Sequence, residues 1–166
     1  MARVVIMGAG PAGACLALLL ARQQHDVSLL EQRADFAREF RGEVLMPSGQ
    51  EVLDKMGLAN WRKDVPNHPQ ENVAAFINQR HILTADIQVA DARPVAISQP
   101  AFLPYLVDAA DEFDNFRCLT GARVREIKLT GDRVTGVRGI HRDQDLDLDC
   151  DLLIGADGRN SFVRRS

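Results

Sequence analysis

The chain has 166 residues, 46% of them hydrophobic, which is enough for one globular core. Its 20 basic and 23 acidic residues give a net charge of −3, so charge supplies no reason to bind nucleic acid or an anionic membrane, and small molecules are the expected partners. The cysteines Cys15, Cys118 and Cys150 are odd in number and lack metal-ligand spacing, which argues against a disulfide framework or a metal site and favours a cytoplasmic location.

The first predicted elements are a strand, a helix and a second strand. Residues 3–7 form an apolar, β-branched run that predicts a buried strand, and Pro11 then opens a helix that continues to about Gln24. Residues 27–31 predict the second strand, which completes a parallel crossover unit of about 30 residues. The glycines and proline at 8–13 break the apolar stretch in its middle, so no membrane-spanning segment is expected there.

The turn between this strand and helix reads Gly8-Ala9-Gly10-Pro11-Ala12-Gly13. In a dinucleotide-binding fingerprint, the first glycine permits the tight turn, the second lets a pyrophosphate approach the backbone, and the third lets helix and strand pack closely. The free N–H groups at the helix start attract the phosphates. Glu31, eighteen residues beyond Gly13, is placed to accept hydrogen bonds from both hydroxyls of a ribose, which disfavours NADP at this site.

The middle of the chain does not continue the strand-helix alternation. A helix is predicted from Pro47 to Met56, and residues 72–79 and 82–89 predict two antiparallel strands with a turn near Arg80 and His81. A further helix is predicted from Pro100 to about Phe113, followed by a strand at 116–119 that returns to the parallel sheet.

The last part of the chain predicts three antiparallel strands between Arg123 and Cys150, with turns at residues 131–132 and 143–144. In the third of these strands aspartates alternate with apolar residues, so the aspartates are expected to face solvent. Residues 152–156 predict a final strand, and a helix is expected to begin near Asn160 or Ser161. Because so short a helix is unstable alone, we expect the chain to be part of a longer protein.

The fingerprint alone does not separate FAD from NAD, because both present adenosine and pyrophosphate to it. An NAD dehydrogenase would continue with further strand-helix repeats, whereas this chain inserts a hairpin and a meander. Four segments, in order along nearly the whole chain, resemble the FAD-dependent aromatic hydroxylases, whose prototype is p-hydroxybenzoate hydroxylase. They are GAGPAGACLALLL with LLEQR, RGEVLMPSGQEVLDKMGL, ISQP, and CDLLIGADGRNSFVRR.

The resemblance implies an α/β, Rossmann-like FAD/NAD(P)-binding fold with a parallel sheet, a three-stranded antiparallel meander and part of a second, substrate-side sheet formed by about residues 72–98. Residues 1–166 would then be one FAD-binding domain fragment. A glycine often ends the first helix in this family. Gln24 and His25 stand there instead, so a left-handed residue at that end would cost about 1 kcal/mol.

The resemblance also implies roles for single residues. Glu31 would hold the adenosine ribose, Arg33 would lie near the adenine, and the backbone of Val124 would border it. Arg41 would reach the pyrophosphate, Gln99 would contact the flavin nucleotide, and Asp157 would serve FAD binding, while the family's Gly-Asp motif lies beyond residue 166. The cofactor-binding residues expected from fingerprint and resemblance are Gly8, Ala9, Gly10, Pro11, Ala12, Gly13, Glu31, Gln32, Arg33, Arg41, Gln99, Val124 and Asp157.

The activity implied is that of a monooxygenase, which hydroxylates a small aromatic substrate with FAD, NADH or NADPH, and oxygen. Halogenases, epoxidases and prenyl reductases share the architecture and remain alternatives, as do an NAD dehydrogenase and a non-catalytic nucleotide-binding module that self-associates through exposed sheet edges. The scattered histidines have no partners at ligand spacing, so no residue of the chain is assigned as a general acid, base or nucleophile.

Overall fold

The structure is a computed structural model and describes residues 1–37, 43–89 and 91–166. In chain order its strands are β1 (Arg3–Met7), β2 (Asp26–Glu31), β3 (Glu43–Leu45), β4 (Asn67–Pro69), β5 (Asn72–Ile77), β6 (Arg80–Asp86), β7 (Val95–Ile97), β8 (Phe116–Thr120), β9 (Ala122–Thr130), β10 (Arg133–His141), β11 (Gln144–Asp149) and β12 (Leu152–Gly155). Its α-helices are α1 (Pro11–Arg22), α2 (Pro47–Lys55), α3 (Trp61–Asp64) and α4 (Gln99–Asp111), and a 3₁₀ turn covers Val163–Arg165. The chain divides into two compact units, one of Met1–Ala37 with Leu103–Ser166 and the other of Arg38–Phe102.

The first unit is built on a four-stranded sheet in which all neighbours run parallel, in the order β12-β1-β2-β8. The two middle strands are buried except at their first residues, Arg3 and Asp26, and most of their buried side chains are apolar, as is usual in parallel sheets. The predicted strands at 3–7, 27–31, 116–119 and 152–156 are thereby confirmed, as is the return of the chain to the parallel sheet after the fourth helix.

Helix α1 connects β1 to β2 and ends in a left-handed residue without glycine. Gln24 has φ of 62°, and its amide donates to the carbonyl of Ala21 at 2.9 Å. The amide of His25 donates to Leu20 at 3.1 Å, so the last carbonyls of the helix are satisfied in the way a glycine-ended helix satisfies them. The helix therefore keeps the usual ending, at the conformational cost expected for a side chain in that region.

The predicted meander is also confirmed, with strand order β11-β10-β9 and antiparallel pairing throughout. Its inner face contributes Ala122, Val137 and Leu146 to a buried cluster that also contains Cys150 and residues of β1 and β2. The alternate side chains of β11, the aspartates 145, 147 and 149, are exposed as predicted.

The second unit contains a three-stranded sheet, β3-β7-β4, and the β5–β6 hairpin. The three-residue strands of the β3-β7-β4 sheet were not predicted, because segments that short show no periodicity. The hairpin was predicted with its turn near Arg80 and His81, which is wrong. The turn is formed by Asn78 and Gln79, with φ of 49° and 65°, a two-residue turn of the kind that matches strand twist.

Beyond β12 the chain forms the 3₁₀ turn Val163–Arg165 where an α-helix near Asn160 or Ser161 was predicted. A 3₁₀ turn closes with i to i+3 bonds and needs fewer residues than an α-helical turn. The amide of Arg165 donates to Phe162 at 3.0 Å in this way. No helix in the described ranges has the length and apolar character needed to span a bilayer.

Candidate functional site

The candidate site lies where the order of the parallel sheet reverses. From β1 the chain passes to β2 and then β8 on one side, and it returns to β12 on the other side of β1. In open parallel sheets, ligands bind outside the carboxyl ends of the strands at such a reversal. Two turns occupy this position here, the glycine turn after β1 and the Ala156-Asp157-Gly158 turn after β12.

Close backbone contacts at the glycine turn explain two of the three glycines. Gly8 has φ of 103°, and a Cβ there would lie 2.4 Å from the carbonyl oxygen of Ala156. A Cβ on Gly13 would lie 1.9 Å from the carbonyl oxygen of Gly8. Both positions therefore exclude any side chain, as predicted for the tight turn and for close packing of helix on strand.

Gly10 differs from the other two glycines. Its backbone is extended, with φ of −71° and ψ of 178°, and a Cβ built there meets no described atom within 4 Å. Neither strain nor packing within the described residues requires glycine at this position. The space in front of Gly10 is open to a ligand, which is the role that the fingerprint assigns to the second glycine.

The start of helix α1 presents backbone donors to the same space. The first intrahelical bond runs from the amide of Ala14 to the carbonyl of Gly10 at 2.9 Å, so the amides of Ala12 and Gly13 have no partner within the helix. No side chain of a described residue caps the helix, and Pro11 at its first position has no N–H. These amides and the positive end of the helix dipole form a suitable phosphate site.

Glu31 closes the site on the side of β2. Its side chain is buried at 6% exposure, and Oε2 accepts a hydrogen bond from the amide of Ala9 at 3.1 Å. Oε1 accepts from the amide of Arg33 at 3.0 Å. The carboxylate is therefore fixed beside the glycine turn, and a carboxylate is a group that accepts hydrogen bonds from hydroxyls.

Three other predicted residues lie on the far side of Glu31 from the glycine turn. Gln32 and Arg33 are exposed, and the carbonyl of Arg33 accepts the amide of Gly121 at 2.7 Å, which ties the segment after β2 to the end of β8. Val124 is half-buried on β9 and packs against the cluster that includes Leu30. The structure thus brings Gln32, Arg33 and Val124 into the same unit as the glycine turn.

Asp157 organises the second turn of the site. Its Oδ2 accepts the amides of Phe162 at 2.6 Å and Val163 at 3.3 Å, whereas its Oδ1 is buried and has no hydrogen-bond partner among the described residues. Burial raises the pKa of this carboxyl, but hydrogen bonds from the Ser161 hydroxyl and from the two amides outweigh burial and hold the pKa below its ordinary value. Oδ1 is therefore an ionised acceptor available to a donor that the described residues do not supply.

The lowered pKa predicts a pH-dependent contribution of Asp157 to stability. The charge stabilises the fold above the unfolded-state pKa of 3.8, and the effect is lost as the pH falls through the lower folded-state pKa. We expect Asp157→Asn to lower the free energy of unfolding by about 1 kcal/mol at pH 7 and to have almost no effect near pH 3. Urea unfolding at a series of pH values would measure this, with Asp145→Asn on the solvent face of β11 as control. A difference that stays constant with pH would contradict the role given to the charge.

For two of the predicted residues, Arg41 and Gln99, the structure gives no position relative to the site. Arg41 lies outside the described residues. Gln99 is buried and begins α4 in the second unit, so its predicted contact with a flavin nucleotide stays a prediction.

The cysteines do not supply a nucleophile at neutral pH. Burial, together with the charges of Glu31 and Asp111, raises the pKa of the Cys118 thiol to about 11. Burial also raises the pKa of Cys15 on α1 and, with the nearby Asp151, that of Cys150. Thiols in this state are poor nucleophiles.

The residues of the first unit fit the adenosine and pyrophosphate half of FAD. The open face of Gly10 and the amides of the first helical turn suit two phosphates, the fixed carboxylate of Glu31 suits a ribose, and the orphaned Oδ1 of Asp157 needs a donor. Sequence reasoning missed the contact between Gly8 and Ala156. A signal for it was present, because a small residue follows each of the two strands whose ends must meet.

Comparison with known proteins gives one family and several relatives. The profile of the family described as FAD binding domain matches residues 1–166. The chain is 31% identical over 165 residues to 6-methylpretetramide 4-monooxygenase of Streptomyces rimosus. The alignment covers 98% of this chain and 40% of that enzyme. It therefore spans about two fifths of the length of that relative.

Solved structures share the fold. P. aeruginosa PqsL in complex with 2-aminobenzoylacetate superposes with a TM-score of 0.82 at 23% identity, over 99% of this chain and 45% of that one. Aklavinone-11 hydroxylase in a ternary complex with FAD and aklavinone superposes with a TM-score of 0.76 at 26% identity, over 99% of this chain and 34% of that one. These likenesses confirm the predicted α/β fold.

Proposed function

Because the chain belongs to the FAD binding domain family, we propose that it is the FAD-binding part of a flavin-dependent monooxygenase that hydroxylates a small aromatic substrate. The reductant would be NADH or NADPH and the oxidant O₂. The monooxygenase relative from Streptomyces rimosus and the likeness to aklavinone-11 hydroxylase support this reaction class. The proposed location is the cytoplasm, since the three cysteines are free thiols.

The observation that carries the proposal is the arrangement around Gly10. An open backbone face, unpaired helix amides and a buried carboxylate converge at the carboxyl ends of β1 and β12. We propose that the amides of Ala12 and Gly13 bind the pyrophosphate and that Glu31 accepts the ribose hydroxyls. Asp157 would accept a hydrogen bond through Oδ1, and Arg41 and Gln99 would complete the set of contacts.

The residues of this chain would bind and orient the cofactor. When bound, FAD supplies the redox chemistry with oxygen. The buried apolar strands beneath the turns give a rigid base, and Gln32, Arg33 and the backbone of Val124 would border the adenine. Such a division of work, in which the protein positions the cofactor, is usual in cofactor enzymes.

Reconstitution with FAD tests the proposal. The purified chain, titrated with FAD, is expected to quench flavin fluorescence at one equivalent and to release free flavin when denatured. An excess of NAD⁺ is expected to leave the complex intact. Tighter binding of NADH than of FAD would overturn the proposal in favour of an NAD dehydrogenase, and the absence of any nucleotide binding would favour a non-catalytic module.

A further inference from the structure

A cavity of about 260 Å³ lies in the first unit at the amino ends of the parallel strands. Its lining includes Arg3 and Asp26, which begin β1 and β2, and residues 147–149 of β11. We call it the amino-end cavity. The glycine turn follows the other end of β1, about 15 Å away at the usual rise of a strand. Among the described residues, none of those proposed to contact FAD lines this cavity, so it is separate from the cofactor site.

The face of the parallel sheet beneath the meander changes from apolar to polar towards this cavity. Asp26, Ser28 and Leu30 alternate along β2 and therefore leave the same face of the strand. Leu30 belongs to the buried apolar cluster, whereas Asp26 and Ser28 line the amino-end cavity. Arg117 lies directly beside Ser28 in the register of β2 and β8, and it lines the cavity too.

A hydrogen bond between these two neighbours orients the guanidinium group. Ser28 is buried at 3% exposure, and its Oγ accepts the Nε–H of Arg117 at 2.8 Å. Among the described residues, neither the Ser28 hydroxyl proton nor the terminal amino groups of Arg117 have an acceptor. A carboxylate in the cavity could accept from both residues, because guanidinium and hydroxyl groups are good donors to an anion.

Most of the other charges around the cavity are already paired. Arg3 forms an ion pair with Asp151 at 3.0 Å. The ammonium group of Lys128 contacts both Asp147 and Asp149 of β11. Charges that are paired in this way attract a further ligand only weakly.

Asp26 and Arg117 differ from these pairs. Within the described ranges, neither the Asp26 carboxylate nor the Arg117 guanidinium forms an ion pair, although both line the same cavity. A free anion bound at Arg117 would leave Asp26 unpaired, and a free amine bound at Asp26 would leave Arg117 unpaired. A molecule that carries both charges satisfies both residues.

We propose that the amino-end cavity binds a small zwitterion, an α-amino acid. Its carboxylate accepts hydrogen bonds from Arg117 and Ser28, and its ammonium group donates to Asp26. The volume of about 260 Å³ suits a ligand of this size, since pockets for larger, drug-sized molecules begin at about 300 Å³.

Nuclear magnetic resonance titration of the ¹⁵N-labelled full chain tests the proposal, with L-alanine, acetate and methylammonium as probes. L-alanine is expected to shift the amide signals of Ser28 and Arg117 and to bind at least about fivefold more tightly than either single-charge probe. The affinity is expected to be the same with and without saturating FAD. Absence of a shift at these amides, or displacement of L-alanine by FAD, would overturn the proposal.

Two variants separate ligand contacts from a purely structural role. Arg117→Gln and Asp26→Asn are each expected to weaken L-alanine binding about fivefold or more. Arg117→Gln is expected to weaken acetate binding and to spare methylammonium, and Asp26→Asn is expected to do the reverse. Equal losses for all three probes in a variant that remains folded by thermal melt would contradict the assigned contacts.

Matched controls come from the meander, where Asp145 and Arg133 are exposed and do not line the cavity. Asp145→Asn and Arg133→Gln are expected to leave L-alanine binding unchanged, and a loss equal to that of the cavity variants would overturn the proposal. The proposed function fails separately. A chain that binds FAD but not L-alanine refutes the cavity proposal alone, and one that binds L-alanine but not FAD refutes the proposed function alone.

Discussion

Replacement of Glu31 by lysine is expected to abolish FAD binding, with a loss of affinity of about 1,000-fold, or about 4 kcal/mol. The carboxylate lies at 6% exposure and accepts the amides of Ala9 at 3.1 Å and Arg33 at 3.0 Å. An ammonium group cannot accept from either amide or from a ribose hydroxyl, and it brings a positive charge against existing donors. Flavin fluorescence titration measures the loss.

A matched variant separates binding from folding. Glu31→Gln keeps the size of the side chain and one oxygen acceptor, so we expect an intermediate loss of about 1 to 2 kcal/mol in FAD binding. Circular dichroism and a thermal melt check that each variant is folded. If folded Glu31→Lys bound FAD as tightly as the unaltered chain, the ribose would not be held by this carboxylate.

Gly10→Val is expected to remove FAD binding without affecting the fold. The extended backbone of Gly10 is allowed for valine, and a Cβ there meets no described atom within 4 Å, so the free energy of unfolding should change by less than about 0.5 kcal/mol. The added methyl groups would occupy the space proposed for the pyrophosphate. We expect the affinity for FAD to fall by about 100-fold or more, equivalent to about 3 kcal/mol.

Gly13→Ala is the contrasting control for this variant. Its Cβ would lie 1.9 Å from the carbonyl oxygen of Gly8, so it is expected to destabilise the fold itself by about 1 to 3 kcal/mol. A thermal melt and a FAD titration on both variants distinguish a position that faces the ligand from a position that is closed by backbone packing. Normal FAD affinity in Gly10→Val would mean that the nucleotide phosphates bind somewhere other than this turn.

The parallel sheet and the meander could be predicted because their signals are local and repeated. Each parallel strand is a continuous apolar run bounded by turn residues, and β11 alternates aspartate with apolar residues. The second unit was predicted less well. Its three-residue strands pair residues far apart in sequence, such as Glu43 with Ile97, and such a pairing depends on tertiary contacts.

The position of the hairpin turn was indicated by local chemistry. The apolar run from Val73 ends at Ile77, the true end of β5, whereas the predicted strand was extended over two polar residues to Gln79, which placed the turn two residues late. Asn78 tolerates the left-handed region, which favours it as the first turn residue, and Gln79 follows it there. Turn chemistry and the end of the apolar run therefore both indicated the correct position.

The candidate site was predictable only in part for a related reason. The glycine turn and Glu31 lie within one crossover unit, so spacing along the chain places them together. The cavity lined by Gln32, Arg125 and Arg142 draws on three separate segments, and no spacing along the chain relates these residues to one another. Its residues become a set only once the meander has folded against the end of the parallel sheet.

The two strands that pair with β1 lie at very different distances from it along the sequence. One neighbour, β2, follows β1 closely in sequence. The other, β12, lies near the end of the described chain, and beside it the amide of Arg3 donates a hydrogen bond to Asp151, 148 residues away in sequence. During synthesis the glycine turn therefore emerges first but gains the backbone against which Gly8 packs only near residue 156. Contacts of such long range slow folding. A ribosome-bound chain halted before that point should lack the complete candidate site, although the residues of its glycine turn are translated early.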